Sequence, residues 1–392
     1  MQNTTSAPTP RQMLLVRLLF FLQYSGIGVF ISFITVFLRE RGLSGFEIGA
    51  LSMLSSLASL IFASVWGYLS DRSGRPRLIL AIGALGAALV TQLYLLAQSV
   101  PAFLLVATLY GIFNSSSAAL VDSLALSMLG ERREEYGRYR LGGTFGYILS
   151  TATSGLLFER TGLWAVLPTF GIINLLFAGT ALFLPARSVR LKTRGGTEVL
   201  KMIRQPRWLA LVSGIFLVWI ASSSAFSFLN ITLKELGAPD SLIGITFSVS
   251  AMAEMPFMAF YSSIVRRVNP VRLFWFAMLG YLARFILYSR MTDPSLAIIA
   301  HLIVGPCYVL LWNSAVTIAN RMAPPELSGT AQGLIISATS LAGVLSALIS
   351  GWLFDRFGAS GMFAIMGNFV LAGFIVFGFS IWRGHWKTPP PG

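Results

Sequence analysis

The chain is organised by long stretches without charged side chains, separated by short clusters rich in glycine, proline and charge. Residues 78–121 contain no Asp, Glu, Lys or Arg. The other uncharged stretches are 18–38, 48–70, 161–186, 208–233, 294–320, 327–354 and 357–382. A helix needs about 20 residues to cross a hydrocarbon core, so each stretch is long enough for one or two crossings.

Dividing these stretches at glycine, proline and charge clusters predicts twelve membrane helices. Their centres fall near positions 25, 58, 87, 112, 149, 174, 220, 253, 280, 307, 340 and 371. The strands of an outer-membrane barrel would instead be about 10 residues long and would alternate in polarity. The predicted fold class is therefore an all-α membrane protein.

One short phrase recurs along the chain. Residues 67–74 read GYLSDRSG, 155–162 read GLLFERTG and 351–358 read GWLFDRFG, with a weaker version, SSIVRRVN, at 262–269. The four phrases follow predicted helices 2, 5, 8 and 11, so the repeating unit is three helices. Because three is odd, successive units cross the membrane in opposite directions.

This repeat predicts two six-helix bundles, each an inverted pair of three-helix units. The predicted limits are 1–185 for the first bundle, 186–207 for a basic cytoplasmic linker and 208–392 for the second bundle. Such nesting is typical of the major facilitator superfamily of secondary transporters.

Composition supports a membrane location. Hydrophobic residues make up 55% of the chain and charged residues 11%, with a mean hydropathy of +0.73; about 25% charge is usual in soluble domains. The net charge is +14, and most of the 29 Lys and Arg lie in segments on one predicted side. This asymmetry predicts an inner-membrane protein with both termini in the cytoplasm and basic loops near anionic lipids, rather than a nucleic-acid partner.

Enzyme chemistry has no support in the sequence. Cys307 is the single cysteine, which excludes an internal disulfide and cannot by itself form a metal site. Paired histidines on a helix and a phosphate-binding glycine loop are missing from the sequence, which argues against a metalloprotease or an ATP-driven pump. The polar N-terminus predicts a retained first helix rather than a cleaved signal peptide. We expect no cofactor, no metal and a functional monomer.

The stretch GYLSDRSGRPR at 67–77 resembles the signature between the second and third helices of major facilitator transporters. The matching positions are Gly67, Asp71, Arg72, Gly74, Arg75 and Arg77. A small residue at Gly67 is expected to let helices approach closely. An acid and several guanidinium groups at a helix end are expected to exchange ion pairs between conformations, as a gate. The alternative is a basic loop that only orients the protein.

Other segments resemble the branch of the superfamily that contains phenylpropionate permease and nucleoside:proton symporters. They are FLRERGLSGFEIGAL at 37–51, YGRYRLGGTFGYI at 136–148, AEMP at 253–256 and APPELSGTAQGL at 323–334. The resemblance implies proton-coupled import of a small organic molecule by alternating access. It also implies a cavity lined by helices 1, 4, 7 and 10. An aromatic carboxylate, a nucleoside and a sugar all remain open as the substrate.

Two acids lie well inside predicted helices. A charge at the bilayer centre costs about 2.5–3.5 kcal/mol on insertion scales, so each needs a partner, water or a proton. Glu254 precedes Pro256, which lacks an N–H and loosens the helix, and it is the expected proton carrier. The alternative is a static ion pair with Arg284. Asp122, toward the cytoplasmic end of helix 4, is expected either to carry protons or to form an inner gate with Arg75.

Helix 10 carries His301, Tyr308 and Trp312 on one face, because their spacings are seven and four residues. The imidazole of His301 can donate, accept or bind a proton, so it is expected either to take part in coupling or to form a packing hydrogen bond.

The remaining candidates for substrate binding are polar and aromatic residues of the helices expected to line the cavity, together with one arginine. They are Gln23, Tyr24, Asn114, Trp219, Ser223, Phe226, Tyr308, Trp312, Asn313 and Arg284. Aromatic faces would stack on a planar substrate, and Arg284 would suit a carboxylate. Membrane aromatics also serve as packing or as interface anchors.

Two other functions fit parts of the pattern. The same fold can export drugs or metabolites by proton antiport, and the signature loop does not distinguish import from export. A non-transporting membrane sensor or scaffold is the other alternative.

Overall fold

The computed structural model of the chain describes residues 10–129, 135–184, 202–324 and 327–386, with the side chains of 118 and 119 excepted. Within these ranges all regular structure is helical. The α-helices are α1 (Pro10–Glu40), α2 (Gly45–Ser73), α3 (Pro76–Gln92), α4 (Val100–Leu129), α5 (Tyr136–Thr161), α6 (Val166–Leu182), α7 (Pro206–Glu235), α8 (Asp240–Arg267), α9 (Pro270–Ser289), α10 (Leu296–Met322) and α11 (Ser328–Trp382). Short 3-10 turns at Leu93–Leu95 and Leu163–Ala165 follow α3 and precede α6. The predicted all-helical fold class is confirmed.

The last helix is interrupted. α11 has 55 residues, which at 1.5 Å per residue gives about 80 Å, more than twice a hydrocarbon core of about 30 Å. At Gly358 the backbone leaves helical geometry, with φ 66° and ψ −178°. This combination is open essentially to glycine alone. Gly358 is the final residue of the GWLFDRFG phrase and lies between the centres of predicted helices 11 and 12.

Ten of the described helices are long and apolar enough to cross a membrane, and α5 is not among them. α5 has charged residues near its ends and hydroxyl groups along its length. Ser150, Thr151 and Ser154 are nevertheless buried. The polar face of α5 is therefore covered by protein rather than exposed to lipid.

The helix ends follow local sequence rules. α2 starts at a capping box, in which the Glu47 amide donates to the Ser44 hydroxyl at 3.2 Å and the Ser44 amide donates to Oε2 of Glu47 at 2.8 Å. α2 ends at Ser73 and is capped by Gly74, with φ 64°, and α3 begins at Pro76. Proline at the first helical position needs no amide hydrogen, so the signature loop is a tight turn between α2 and α3.

The described helices fall into two compact units. The first contains α1–α6 together with Pro239–Ser248, which includes the first turns of α8, and the second contains α7, the rest of α8 and α9–α11. Most of the predicted linker at 186–207 lies outside the described residues, so its limits stay a prediction.

Small residues allow close helix contacts inside the first unit. The Ser25 hydroxyl of α1 donates to the Gly146 carbonyl of α5 at 3.2 Å. The Thr151 hydroxyl of α5 lies 2.6 Å from the hydroxyl of Ser248 on α8. The hydroxyl and small side chains of α5 thus serve as a packing surface.

Gly111 provides a test of this packing. A methyl group added at Gly111 of α4 would overlap the carbonyl oxygen of Ser55 on α2, and over-packing costs about 1–3 kcal/mol. We expect Gly111→Ala to lower the apparent melting temperature of the detergent-purified protein by several degrees. Gly179→Ala is the matched control, because an added methyl there meets nothing within 4 Å. Equal melting temperatures for the two variants would contradict the packing described.

Candidate functional site

Glu254 lies at the middle of α8, in the part that belongs to the second unit. Its side chain is partly buried and is hydrogen-bonded to the side chain of Ser250, one turn earlier. Pro256 follows inside the same helix. The carboxyl group thus lies deep in a membrane helix beside a proline that frees a backbone carbonyl.

Helix α10 makes a close approach to this turn of α8. A methyl group added at Gly305 would lie 2.8 Å from the Ser250 carbonyl oxygen and 3.0 Å from Cβ of Ala253. Pro306 follows Gly305 inside α10. Each helix therefore carries a proline next to this contact. On α8, the contact involves the turn that holds Glu254.

Arg284 lies on α9 and is 5% exposed. Its guanidinium carbon is 5.3, 5.0 and 5.4 Å from the ring centres of Tyr281, Phe285 and Tyr288. Its Nε and Nη2 atoms have no hydrogen-bond partner among the described residues. The static ion pair with Glu254, considered as an alternative from the sequence, is not formed in this structure.

Asp122 is exposed near the C-terminal end of α4, and its Oδ1 accepts a 2.6 Å hydrogen bond from the Tyr136 hydroxyl of α5. One turn along α5, Nε and Nη2 of Arg140 donate to the Tyr24 hydroxyl of α1 at 3.2 and 2.9 Å. The expected gate pair between Asp122 and Arg75 is therefore absent here. Sequence reasoning missed Tyr136 and Arg140, although their four-residue spacing within YGRYR places them on one helix face.

Three partly buried aromatic side chains come together in the second unit. The Trp219 ring of α7 lies 5.3 Å from the Trp312 ring and 6.2 Å from the Tyr308 ring, both of α10. We call these three residues the aromatic platform. Asn313 follows Trp312 and is also partly buried. Such a group can stack on a flat or ring-shaped molecule.

The other predicted residues have different surroundings. His301 is 5% exposed, and its ring lies 6.4 Å from that of Tyr288 on α9. Phe226 is exposed on α7, whereas Ser223 on α7, Gln23 on α1 and Asn114 on α4 are all partly buried. The structure thus brings Trp219, Tyr308 and Trp312 together and gives His301 a ring neighbour on α9.

The signature loop differs from expectation at Gly67. A methyl group added there meets nothing within 4 Å, so the expected close helix approach is not made in this structure. Arg77 donates from Nη1 to the carbonyl of Leu184 at 3.0 Å, and Arg72 donates to the Tyr68 hydroxyl at 3.3 Å. The loop also lines a cavity of about 460 Å³, bordered by Ser73, Gly74, Arg75, Arg77, Leu78 and Leu182.

The part of the chain that the structure describes contains no group of three His, Cys, Asp or Glu side chains placed to hold a metal ion.

Comparisons with known proteins agree with the helical architecture. The chain is 27% identical to a maltose permease of Geobacillus stearothermophilus over 366 residues, covering 92% of each protein. It is 24% identical to the multidrug resistance protein MdtG of Enterobacter lignolyticus over 386 residues, covering 93% of this chain and 90% of that protein. A crystal structure of the nucleoside transporter NupG matches with a TM-score of 0.81 at 16% identity, covering 96% of this chain and 100% of NupG.

The match to a family model is equally extensive. Residues 13–365 match the model described as the MFS_1 like family. Together with the apolar helices, this match identifies a multi-pass membrane transporter and not an enzyme. The chain belongs to the MFS_1 like family of the major facilitator transporters.

Proposed function

We propose that this protein is a proton-coupled symporter that imports a small, ring-bearing organic solute by alternating access. The observation that carries the proposal is Glu254, a carboxyl group at the middle of a membrane helix whose hydrogen bond comes from Ser250 rather than from a cation. A partly buried acid that forms no ion pair with any described residue is stabilised by binding a proton, and intramembrane acids commonly serve as proton relays. The protein is proposed to work as a monomer.

A proton at Glu254 drives uptake only if it changes the affinity for the solute, and the reverse effect then follows by linkage. The contact of Gly305 with the Ser250–Glu254 turn offers a route, because α10 also carries Tyr308 and Trp312 of the platform. A membrane potential of 100 mV supplies about 2.3 kcal/mol for each charge moved. This is enough for roughly fifty-fold accumulation of a neutral solute.

The proposed substrates are sugars and nucleosides, with aromatic carboxylates as a third class. The aromatic platform supports a ring-shaped solute, and Asn313 can bond to its hydroxyl or base groups. A relative named maltose permease and a structural neighbour named nucleoside transporter point the same way. Thermal-shift screening of purified protein against the three classes tests this, because a ligand that binds the folded state raises its stability.

Asp122 and His301 are proposed to have supporting roles. Asp122 accepts a hydrogen bond from Tyr136 of α5 in this structure, and it is proposed to form an inner gate with Arg75 in another conformation rather than to carry protons. His301, buried beside Tyr288, is proposed to assist Glu254 in coupling.

The proposed topology has twelve crossings. Ten described helices are long and apolar enough to cross the membrane; α5 adds an eleventh crossing, and the division of α11 at Gly358 adds a twelfth. Both termini are proposed to lie in the cytoplasm, and the bundles are proposed to span 1–185 and 208–392. The four repeated phrases then end α2, α5, α8 and the first part of α11. Phrases one and three would face the cytoplasm, and phrases two and four would face the outside.

Labelling of single cysteines tests this topology. In a Cys307→Ser background, we expect Arg160→Cys and Arg356→Cys to react with a membrane-impermeant maleimide in intact cells. Arg72→Cys should react only after the membrane is permeabilised. All three residues are exposed in the structure, so access depends on the side of the membrane. Labelling of all three from the same side would overturn the inverted repeat.

Proton-driven export is the second candidate, and it is favoured by the similarity to MdtG along most of the chain. The two functions need opposite gradients. Proteoliposomes with an acidic exterior should accumulate the solute if the protein is a symporter, whereas an antiporter would accumulate it only when the interior is acidic.

A further inference from the structure

The buried guanidinium of Arg284 is incompletely satisfied. Only 5% of the residue is exposed, and its Nε and Nη2 atoms have no hydrogen-bond partner within the described chain. These two nitrogens form one side edge of the planar group. This edge is suited to holding a carboxylate by two parallel hydrogen bonds.

A third unsatisfied donor lies one helical turn away. The Tyr288 hydroxyl is buried and has no hydrogen-bond partner among the described residues, and the Tyr288 ring centre lies 5.4 Å from the guanidinium carbon. Buried polar groups are nearly always paired in folded proteins. Three unpaired donor atoms on neighbouring turns of one helix therefore point to a missing acceptor.

No described group accepts a hydrogen bond from these three donor atoms. The neighbours of Arg284 on α9 are the rings of Tyr281, Phe285 and Tyr288. The adjacent helices contribute His301 of α10, beside Tyr288, and Phe363 of α11, 5.1 Å from Tyr288. Aromatic faces attract a cation only weakly compared with the hydration that a buried charge loses. Glu254, an acid of α8 in the same unit, forms no ion pair with Arg284.

We propose that Arg284 and Tyr288 bind a small monovalent anion that is not part of the polypeptide. The anion would accept from Nε and Nη2 of Arg284 and from the Tyr288 hydroxyl, and it would neutralise the guanidinium. It is either a free anion such as chloride or the carboxylate group of an organic solute. None of its residues belongs to the aromatic platform, which is built on α7 and α10. Binding of a free anion does not depend on the proposed symport, whereas binding of a solute carboxylate rests on the proposed function.

Thermal unfolding of the purified protein tests the site. The buffer contains only bulky HEPES as the anion, and chloride, acetate or benzoate is titrated at constant ionic strength. We expect a saturable rise in the melting temperature of the unsubstituted protein. A rise with chloride and acetate alike assigns a free small anion. A rise with benzoate alone assigns the carboxylate of a ring-bearing solute.

Three variants locate the response. Arg284→Met keeps the length of the side chain without the charge and should abolish the rise. Tyr288→Phe removes one hydroxyl and should raise the half-saturating anion concentration several-fold, and this milder change covers the case in which Arg284→Met does not fold. Arg290→Met, at an exposed arginine just beyond α9, should respond like the unsubstituted protein.

Two results would overturn the proposal. One is the absence of a saturable rise with all three anions in the unsubstituted protein. The other is an unchanged half-saturating concentration in Tyr288→Phe together with an unchanged rise in Arg284→Met. Neither result bears on proton-driven uptake, which is measured separately in proteoliposomes.

Discussion

Glu254→Gln is expected to abolish proton-driven accumulation of the solute while leaving solute exchange intact. Gln has nearly the same shape as Glu and can still bond to Ser250, so the packing of α8 against Gly305 should be retained. It cannot bind and release a proton. The accumulation ratio at 100 mV should therefore fall from roughly fifty-fold to about one, a loss of about 2.3 kcal/mol of driving force.

Proteoliposomes give both measurements. Accumulation is followed after an inward proton gradient and a potential are imposed, and exchange is followed with equal solute on both sides and no gradient. Glu47→Gln is the control, because glutamine preserves the capping box at the start of α2 and lies outside the proposed coupling site. Accumulation by Glu254→Gln at the level of the control would show that this residue does not carry the proton.

Much of the fold could be predicted because the membrane imposes a length on each apolar stretch. The predicted centres fall within the observed helices, and Pro76, Pro206 and Pro270 mark helix starts at the expected breaks. α5 is the instructive case, because its hydropathy alone does not identify it as a crossing. The division of the chain at glycine, proline and charge clusters nevertheless predicted a helix centred near position 149, and the repeated phrase at 155–162 lies at its end. A repeated sequence can therefore support the prediction of a helix whose hydropathy is low because its polar face is buried by neighbouring helices.

The pairings within the candidate site were harder to predict. Helical periodicity places residues on a face of one helix, but it does not fix how neighbouring helices rotate or slide. Asp122 therefore meets Tyr136 instead of Arg75, and Arg284 meets three rings instead of Glu254. The seven- and four-residue spacing on α10 did group Tyr308 with Trp312 correctly. Trp219 joins them because α7 and α10 pack in the same unit, which no single-helix pattern reveals.

Leucine in place of Trp312 should weaken binding of the ring-bearing solute by roughly ten- to hundredfold. Burying a large apolar side chain against a ligand contributes about 1.5–3 kcal/mol, and each 1.4 kcal/mol is a factor of ten in affinity. Trp312→Phe keeps an aromatic face and should lose less. The measurement is the half-saturating concentration of the first sugar or nucleoside that raises the melting temperature.

The control and a double variant separate stacking from general destabilisation. Trp352→Leu removes an exposed tryptophan of α11 in the same unit and should leave the affinity unchanged. If Trp219 and Trp312 act as one surface, the double leucine variant should lose less affinity than the sum of the two single losses. The reason is that removal of one ring already disrupts most of the stacking contact that both rings form with the solute. Strictly additive losses would mean that the two rings contact the solute independently. Equal losses of affinity in Trp312→Leu and Trp352→Leu would show that the aromatic platform is not part of the binding site.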